Sequence, residues 1–111
     1  MNTQGWIRRT MAKNMEAEEF LSHVVECLGR EFEMESGICG EGDGYLIKLG
    51  VYESQIDAAD LRKLQLQGAY CLDKHILAQL QSLGFDFDRY RSKYTRYCFG
   101  LFYSDTNGSL Y

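Results

Sequence analysis

The segment SGICGEGDGYLIKLGVY, residues 36–52, decides the fold class of this chain. Its second half, residues 45–52, is rich in β-branched and aromatic residues, and its side chains alternate in the manner of a strand. The dipeptide Asp43-Gly44 is typical of the tight turn that joins two antiparallel strands. The segment therefore predicts one β-hairpin near residues 36–52.

Helical patterns lie on both sides of this hairpin. Residues 16–34 carry apolar side chains at helical spacing, with Asn14 as the expected N-cap and glutamates in the first turn. A capping-box-like run beginning at Ser54 predicts a second helix over residues 54–67. Asp73 is expected to cap a third helix over residues 74–83. We therefore predict an α+β fold that is mainly helical, with about four helices and one β-hairpin.

Residues 87–103 fit two descriptions. The composition of residues 95–103 is typical of a strand. However, Phe87, Tyr90, Tyr94 and Tyr97 recur at spacings of three and four, which indicates a helix. We predict a helix over residues 87–99, with Asp86 as its cap, and keep a strand as the alternative.

The length of 111 residues fits one domain. We expect residues 1–14 to be an N-terminal extension, residues 15–103 to form a single globular domain, and residues 104–111 to be a flexible tail. The sequence contains 11 glycines and no proline, so glycine is expected at most of the connections.

The net charge of −4 is unevenly distributed. Residues 15–60 hold 12 acids against Arg30 and Lys48, a net charge of −10, whereas residues 1–14 and 61–111 each carry +3. Such asymmetry predicts an oriented electrostatic surface. A solvated set of helix faces without a partner is the alternative explanation.

The most distinctive segment is RYRSKYTRY, residues 89–97, with four bases, three tyrosines and no acid. Bases interleaved with aromatic side chains can bind phosphates and stack on nucleic-acid bases. Alternatively, the tyrosines form the inner face of a helix while the bases pair with the acidic first helix. Both interpretations stay open at this level.

The sequence lacks the common signatures of enzymes and metal sites. The glycine loop Gly40–Gly44 contains two acids that would repel a phosphate. Cys71 and His75 could form a thiol–imidazole pair, but no third group orients them. Two histidines and widely spaced cysteines disfavour a zinc site. We therefore expect no catalytic residue, no metal and no cofactor.

Compartment and membrane association follow from the same patterns. No run of 18 apolar residues is present, so no membrane association is predicted. The four cysteines, none in a C-x-x-C pair, are expected to be reduced thiols in a cytoplasmic protein.

The favoured hypothesis is a small acidic protein-binding domain without enzymatic activity. It would act as an inhibitor or regulator that docks on a basic surface of a nucleic-acid-handling protein, in the manner of a nucleic-acid mimic. The alternatives are a nucleic-acid-binding module that uses residues 89–97 and a small enzyme with a Cys/His site. The expected partner-binding residues are Glu31, Glu33, Glu35, Glu41, Asp43, Arg89, Tyr90, Arg91, Lys93, Tyr94 and Arg96.

Overall fold

The computed structural model of the chain describes residues 3–101. Within this range the elements are α1 (Thr3–Asn14), α2 (Ala17–Phe32), β1 (Ser36–Glu41), β2 (Gly44–Leu49), β3 (Tyr52–Asp57), α3 (Ala58–Gln67), α4 (Cys71–Ser82) and α5 (Lys93–Cys98). The strands form an antiparallel sheet in the order β1-β2-β3. The predicted α+β class and the predicted hairpin are confirmed, but the described residues contain five helices and three strands.

The core lies between α2 and the sheet, with α3 and α4 completing it. The predicted apolar face of α2 is buried, as the spacing of Phe20, Val24 and Leu28 requires. Ile47 and Leu49 of β2 and Ile56 of β3 face this helix layer and are buried as well. Within residues 3–101, the helices therefore cover one face of the sheet.

The strand β3 is a correction to the predicted helix over residues 54–67. Gly50, with φ of 61°, and Val51, 90 % exposed, form a turn that ends β2, and the chain returns antiparallel to it. Ser54 lies buried on the inner face of β3 rather than capping a helix. Asp57 is the N-cap of α3, since its carboxylate accepts a hydrogen bond from Asp60 N at 2.8 Å.

Two further helix boundaries differ from the prediction. The helix α4 begins at Cys71, so Asp73 lies in its first turn instead of capping it. Asn14 does not cap α2, because it is the last residue of α1. The N-cap position of α2 is occupied by Glu16, whose side chain makes no capping hydrogen bond. A short polar residue near a helix start indicates a cap only when no tertiary partner competes for it, and Asp73 has such partners.

The predicted helix over residues 87–99 is present only in its second half, as α5. Its cap is Ser92 rather than Asp86, in a capping box with Thr95. Residues 85–92 are irregular, and this places Phe85 and Phe87 against Phe32 of α2, with ring centroids 5.1 and 5.4 Å away. The predicted tail, residues 104–111, lies outside the described residues.

The predicted N-terminal extension forms α1, which packs on the rest of the chain. Ala12 belongs to the core, and Arg8 is only 5 % exposed. The amide nitrogen of Gln65 in α3 donates to the carbonyl oxygens of Ala12 and Met15, each at 2.8 Å. Whether residues 15–103 fold without α1 stays a prediction.

Candidate functional site

An acidic cleft of about 390 Å³ lies at one end of the sheet. Glu41 and Asp43 enter it from the β1–β2 turn, and Asp57 and Asp60 enter it from the junction of β3 with α3. These two chain segments are joined by a backbone hydrogen bond from Ala58 N to Asp43 O at 2.9 Å. The fold therefore brings together two predicted acids and two that the sequence did not single out.

Local packing holds the walls of the acidic cleft in place. A Cβ atom added to Gly44 would lie 2.2 Å from Ile56 O, so only glycine permits the approach of β3 at this point. Gln55 donates from Nε2 to Glu41 Oε1 at 2.6 Å, and Ser54 Oγ donates to Gln79 Oε1. The cleft is thus lined by carboxylates on a hydrogen-bonded frame. The lining residues include His75 but no lysine or arginine.

Two of the other predicted acids, Glu33 and Glu35, lie near the opposite end of the sheet. Glu33 ends α2 in the left-handed conformation, with φ of 55°, and Glu35 O accepts a hydrogen bond from Gly50 N at 2.8 Å. A strand the length of β1 spans about 17–20 Å. Glu33 and Glu35 therefore form a second acidic group, separated from the acidic cleft by the length of β1.

One of the predicted bases pairs with a predicted acid, and two others contact uncharged groups within the chain. Arg91 Nε lies 2.8 Å from Glu31 Oε2, and the guanidinium of Arg91 lies 4.8 Å from the centroid of the Phe32 ring. Arg89 stacks over Phe99 at 4.2 Å, and Arg96 donates to Tyr90 O at 3.0 Å. Three bases of residues 89–97 thus make contacts within the chain.

The remaining members of this segment differ in exposure. Lys93 is exposed, and Tyr90 is 52 % exposed. Tyr94 is half-buried, and its hydroxyl donates to the buried carboxylate of Asp73. Of the predicted tyrosine anchors, Tyr90 is the one that offers most of its ring to a partner.

A buried polar network joins α1, α4 and α5. Arg8 Nη1 donates to Asp73 Oδ1 at 2.5 Å and to Ala69 O at 3.3 Å, and its guanidinium lies 4.7 Å from the Tyr70 ring centroid. Burial raises the pKa of Asp73, while Arg8 and the Tyr94 hydroxyl act against that rise. Burial also raises the pKa of Tyr94 well above its usual value. Sequence reasoning missed this network because its members are far apart in the chain.

A second cleft, of about 470 Å³, borders this network and contains a thiol–imidazole pair. His23 Nε2 lies 3.5 Å from Cys27 Sγ, and Arg30 Nη2 lies 3.8 Å from the same sulfur. Burial and the charge of Arg8 lower the pKa of His23, which favours the neutral imidazole. The i, i+4 spacing of this pair on α2 was a signal available in the sequence. By contrast, Cys71 and His75 line two different clefts.

The chain matches no protein-family model, and no curated protein or solved structure is significantly similar to it. None of the helices in the described part of the chain is both long and apolar enough to cross a lipid bilayer. Among residues 3–101, no group of three histidine, cysteine or acidic side chains is arranged to hold a metal ion. All four cysteines are free thiols.

Proposed function

We propose that this chain is a non-enzymatic protein-binding domain whose acidic cleft docks on a basic surface of another protein. The observation that carries the proposal is the convergence of Glu41, Asp43, Asp57 and Asp60 on one concave surface from two separate chain segments. A concave surface lined by charges of one sign focuses the field and steers an oppositely charged partner toward it.

The internal contacts of residues 89–97 favour this proposal over the nucleic-acid alternative. Arg91 is paired with Glu31, and Arg89 is stacked on Phe99. Binding of these bases to phosphates would first have to disrupt contacts within the chain. The acidic cleft carries no such internal cation among its lining residues.

The class of partner follows from the chemistry of the cleft. Clustered carboxylates resemble the phosphates of a nucleic acid in sign and in their preference for arginine and lysine. A protein that handles nucleic acid offers such bases in its binding channel. We therefore propose that the chain acts as an inhibitor or regulator that occupies this channel.

The proposal is tested with two variants of equal charge. The first carries Glu41→Gln, Asp43→Asn and Asp60→Asn, which remove three charges from the acidic cleft and keep the side-chain shapes. The matched control carries Glu16→Gln, Glu19→Gln and Glu26→Gln, which remove three charges outside the cleft. Proteins retained from native cell extract are identified by mass, and the affinity of the retained partner is then measured with purified proteins.

The expected result is loss of binding in the cleft variant and retention in the control. Nucleic acid should also compete with the chain for the retained partner. Equal weakening in both variants would reduce the effect to net charge and contradict the proposal. A gel shift of nucleic acid by the chain itself at low salt, where phosphate contacts are strongest, would favour the alternative instead.

A further inference from the structure

The strand β1 is an open edge of the sheet. It pairs with β2 on one side, and the strand order β1-β2-β3 leaves its other side without a strand partner within residues 3–101. Five of its six residues are exposed, and Ile38 is half-buried. An edge of this kind presents backbone N–H and C=O groups to any chain that lies beside it.

The register shows which backbone groups of β1 point outward. Glu41 pairs with Gly44 across a two-residue turn, which makes this a hydrogen-bonded pair. Because these pairs alternate along the strand, the backbone N–H and C=O groups of residues 37, 39 and 41 point toward β2. The hydrogen bond from Gly50 N to Glu35 O continues the same alternation. The N–H groups of Ser36, Ile38 and Gly40 therefore point away from the sheet.

Three of the usual protections of an edge strand, namely lysine, proline and a bulge, are absent from β1. Its sequence, SGICGE, contains neither lysine nor proline, and its register with β2 runs without a bulge from Ser36 to Glu41. A Cβ atom added to Gly37 or Gly40 would contact nothing within 4 Å. A second strand could thus approach closely along the whole edge.

Acids flank this edge at both ends. Glu33 and Glu35 precede β1, and Glu41 and Asp43 stand at its far end, where the acidic cleft begins. These charges disfavour pairing of β1 with a second copy of itself. In the symmetric antiparallel register centred on Ile38, Glu35 of one copy lies opposite Glu41 of the other, because positions 35 and 41 are equidistant from 38. Like charges directly opposite each other destabilise a strand pair.

We propose that the partner binds by adding an extended segment to β1, with lysine or arginine at both ends of that segment. Its backbone would bond to the outward groups of Ser36, Ile38 and Gly40. Its basic ends would pair with Glu35 at one end and Glu41 at the other. This inference rests on the proposed function and assigns the partner segment a conformation and a charge pattern.

The probe is an acetylated and amidated peptide of sequence Lys-Thr-Val-Thr-Val-Thr-Lys. A second peptide, N-methylated at all internal amides, keeps the charges and the extended shape but loses the backbone donors. Binding to the full chain is followed by titration calorimetry at low salt and by backbone amide shifts. The variant Gly40→Pro removes one outward N–H, and Gly40→Ala is its control.

Loss of the aligned backbone bonds should weaken binding about tenfold or more. We expect this loss for the N-methylated peptide and for Gly40→Pro, with Gly40→Ala unchanged and amide shifts concentrated at residues 36–41. Equal binding of both peptides would overturn the inference even if Gly40→Pro failed to fold.

Other outcomes separate the two proposals. If peptide binding is weakened only by the variant that removes three charges from the acidic cleft, then strand addition is wrong and docking through the acidic cleft is supported. If no variant and no N-methylation has an effect, both proposals are wrong. If a chain that ends at residue 101 binds the peptide more tightly, then residues 102–111 compete for β1 in the full chain. If the chain is a dimer in solution, then a second copy occupies β1. Either result would overturn strand addition by a basic partner.

Discussion

Replacement of Arg8 by methionine tests whether α1 is an integral part of the fold. Arg8 is 5 % exposed and Asp73 is 0 % exposed, so Arg8→Met would leave a buried carboxylate with the Tyr94 hydroxyl as its side-chain partner. Arginine and methionine have similar helix propensities, and a thioether can keep a contact with the Tyr70 ring. The change therefore removes the guanidinium, with its charge and its hydrogen bonds to Asp73 and Ala69, while it keeps the helix propensity of the position.

Removal of one member of a buried ion pair costs about 3–5 kcal/mol. At about 5 °C per kcal/mol for a domain of this size, Tm should fall by about 15–25 °C. Urea denaturation and differential scanning calorimetry measure these two quantities. The matched control is Arg30→Met, because Arg30 pairs with Glu26 at 3.6 Å while both side chains are about two-thirds exposed (66 % and 64 %). Its cost should not exceed about 0.5 kcal/mol.

A triple variant distinguishes a lost pair from a damaged helix. Arg8→Met with Asp73→Leu and Tyr94→Phe removes every charge and hydroxyl of the network, and apolar replacement of a buried pair is often close to neutral. We expect the triple variant to recover most of the stability lost in Arg8→Met. If Arg8→Met costs no more than Arg30→Met, then α1 does not dock through Asp73 and the buried pair does not stabilise the fold.

Three further outcomes concern single sites. The Cys98 thiol is 5 % exposed, and burial raises its pKa, so it should react with dithionitrobenzoate only on unfolding. The exposed Cys39 thiol should react at once. Equal reaction rates of the two thiols would contradict this prediction. Burial, and then Arg8, lower the pKa of His23 from 6.5, so the unfolded chain binds that proton more readily. The free energy of unfolding should therefore fall as the pH drops below 6.5, and His23→Gln should remove that component of the slope in urea titrations. Gly44→Ala, whose Cβ would lie 2.2 Å from Ile56 O, should cost about 1–3 kcal/mol by the same method. Gly37→Ala, with open space around its Cβ, should cost less than about 0.5 kcal/mol.

Elements with a local signal could be predicted from the sequence. The helix α2 has a stripe of apolar residues that a helix must bury, and the first hairpin has a turn dipeptide between alternating residues. The strand β3 lacked such a signal, because its inner face carries Ser54 between Tyr52 and Ile56. A buried serine is stable there because Gln79 of α4 accepts its hydrogen bond, and that partner is not visible in the local sequence.

The candidate site could be predicted only in part, because some of its residues have a local signal in the sequence and others meet only in the folded chain. The excess of acids in residues 15–60 was evident, and so was the presence of Glu41 and Asp43 in a turn. Their meeting with Asp57 and Asp60 depends on the return of β3 along β2, which local patterns did not reveal. The pairing of Arg91 with Glu31 spans 60 positions and likewise follows from the tertiary fold.

The Arg8–Asp73 contact also constrains the order in which the chain can fold during synthesis. The two residues are 65 positions apart, and at about 5–20 residues per second the ribosome adds Asp73 about 3–13 s after Arg8. Throughout that interval α1 carries a cation whose counter-ion has not been made, whereas α2 can already pack against the sheet that follows it directly in the chain. The helix α1 is therefore expected to dock only once α4 and α5 have emerged to receive it.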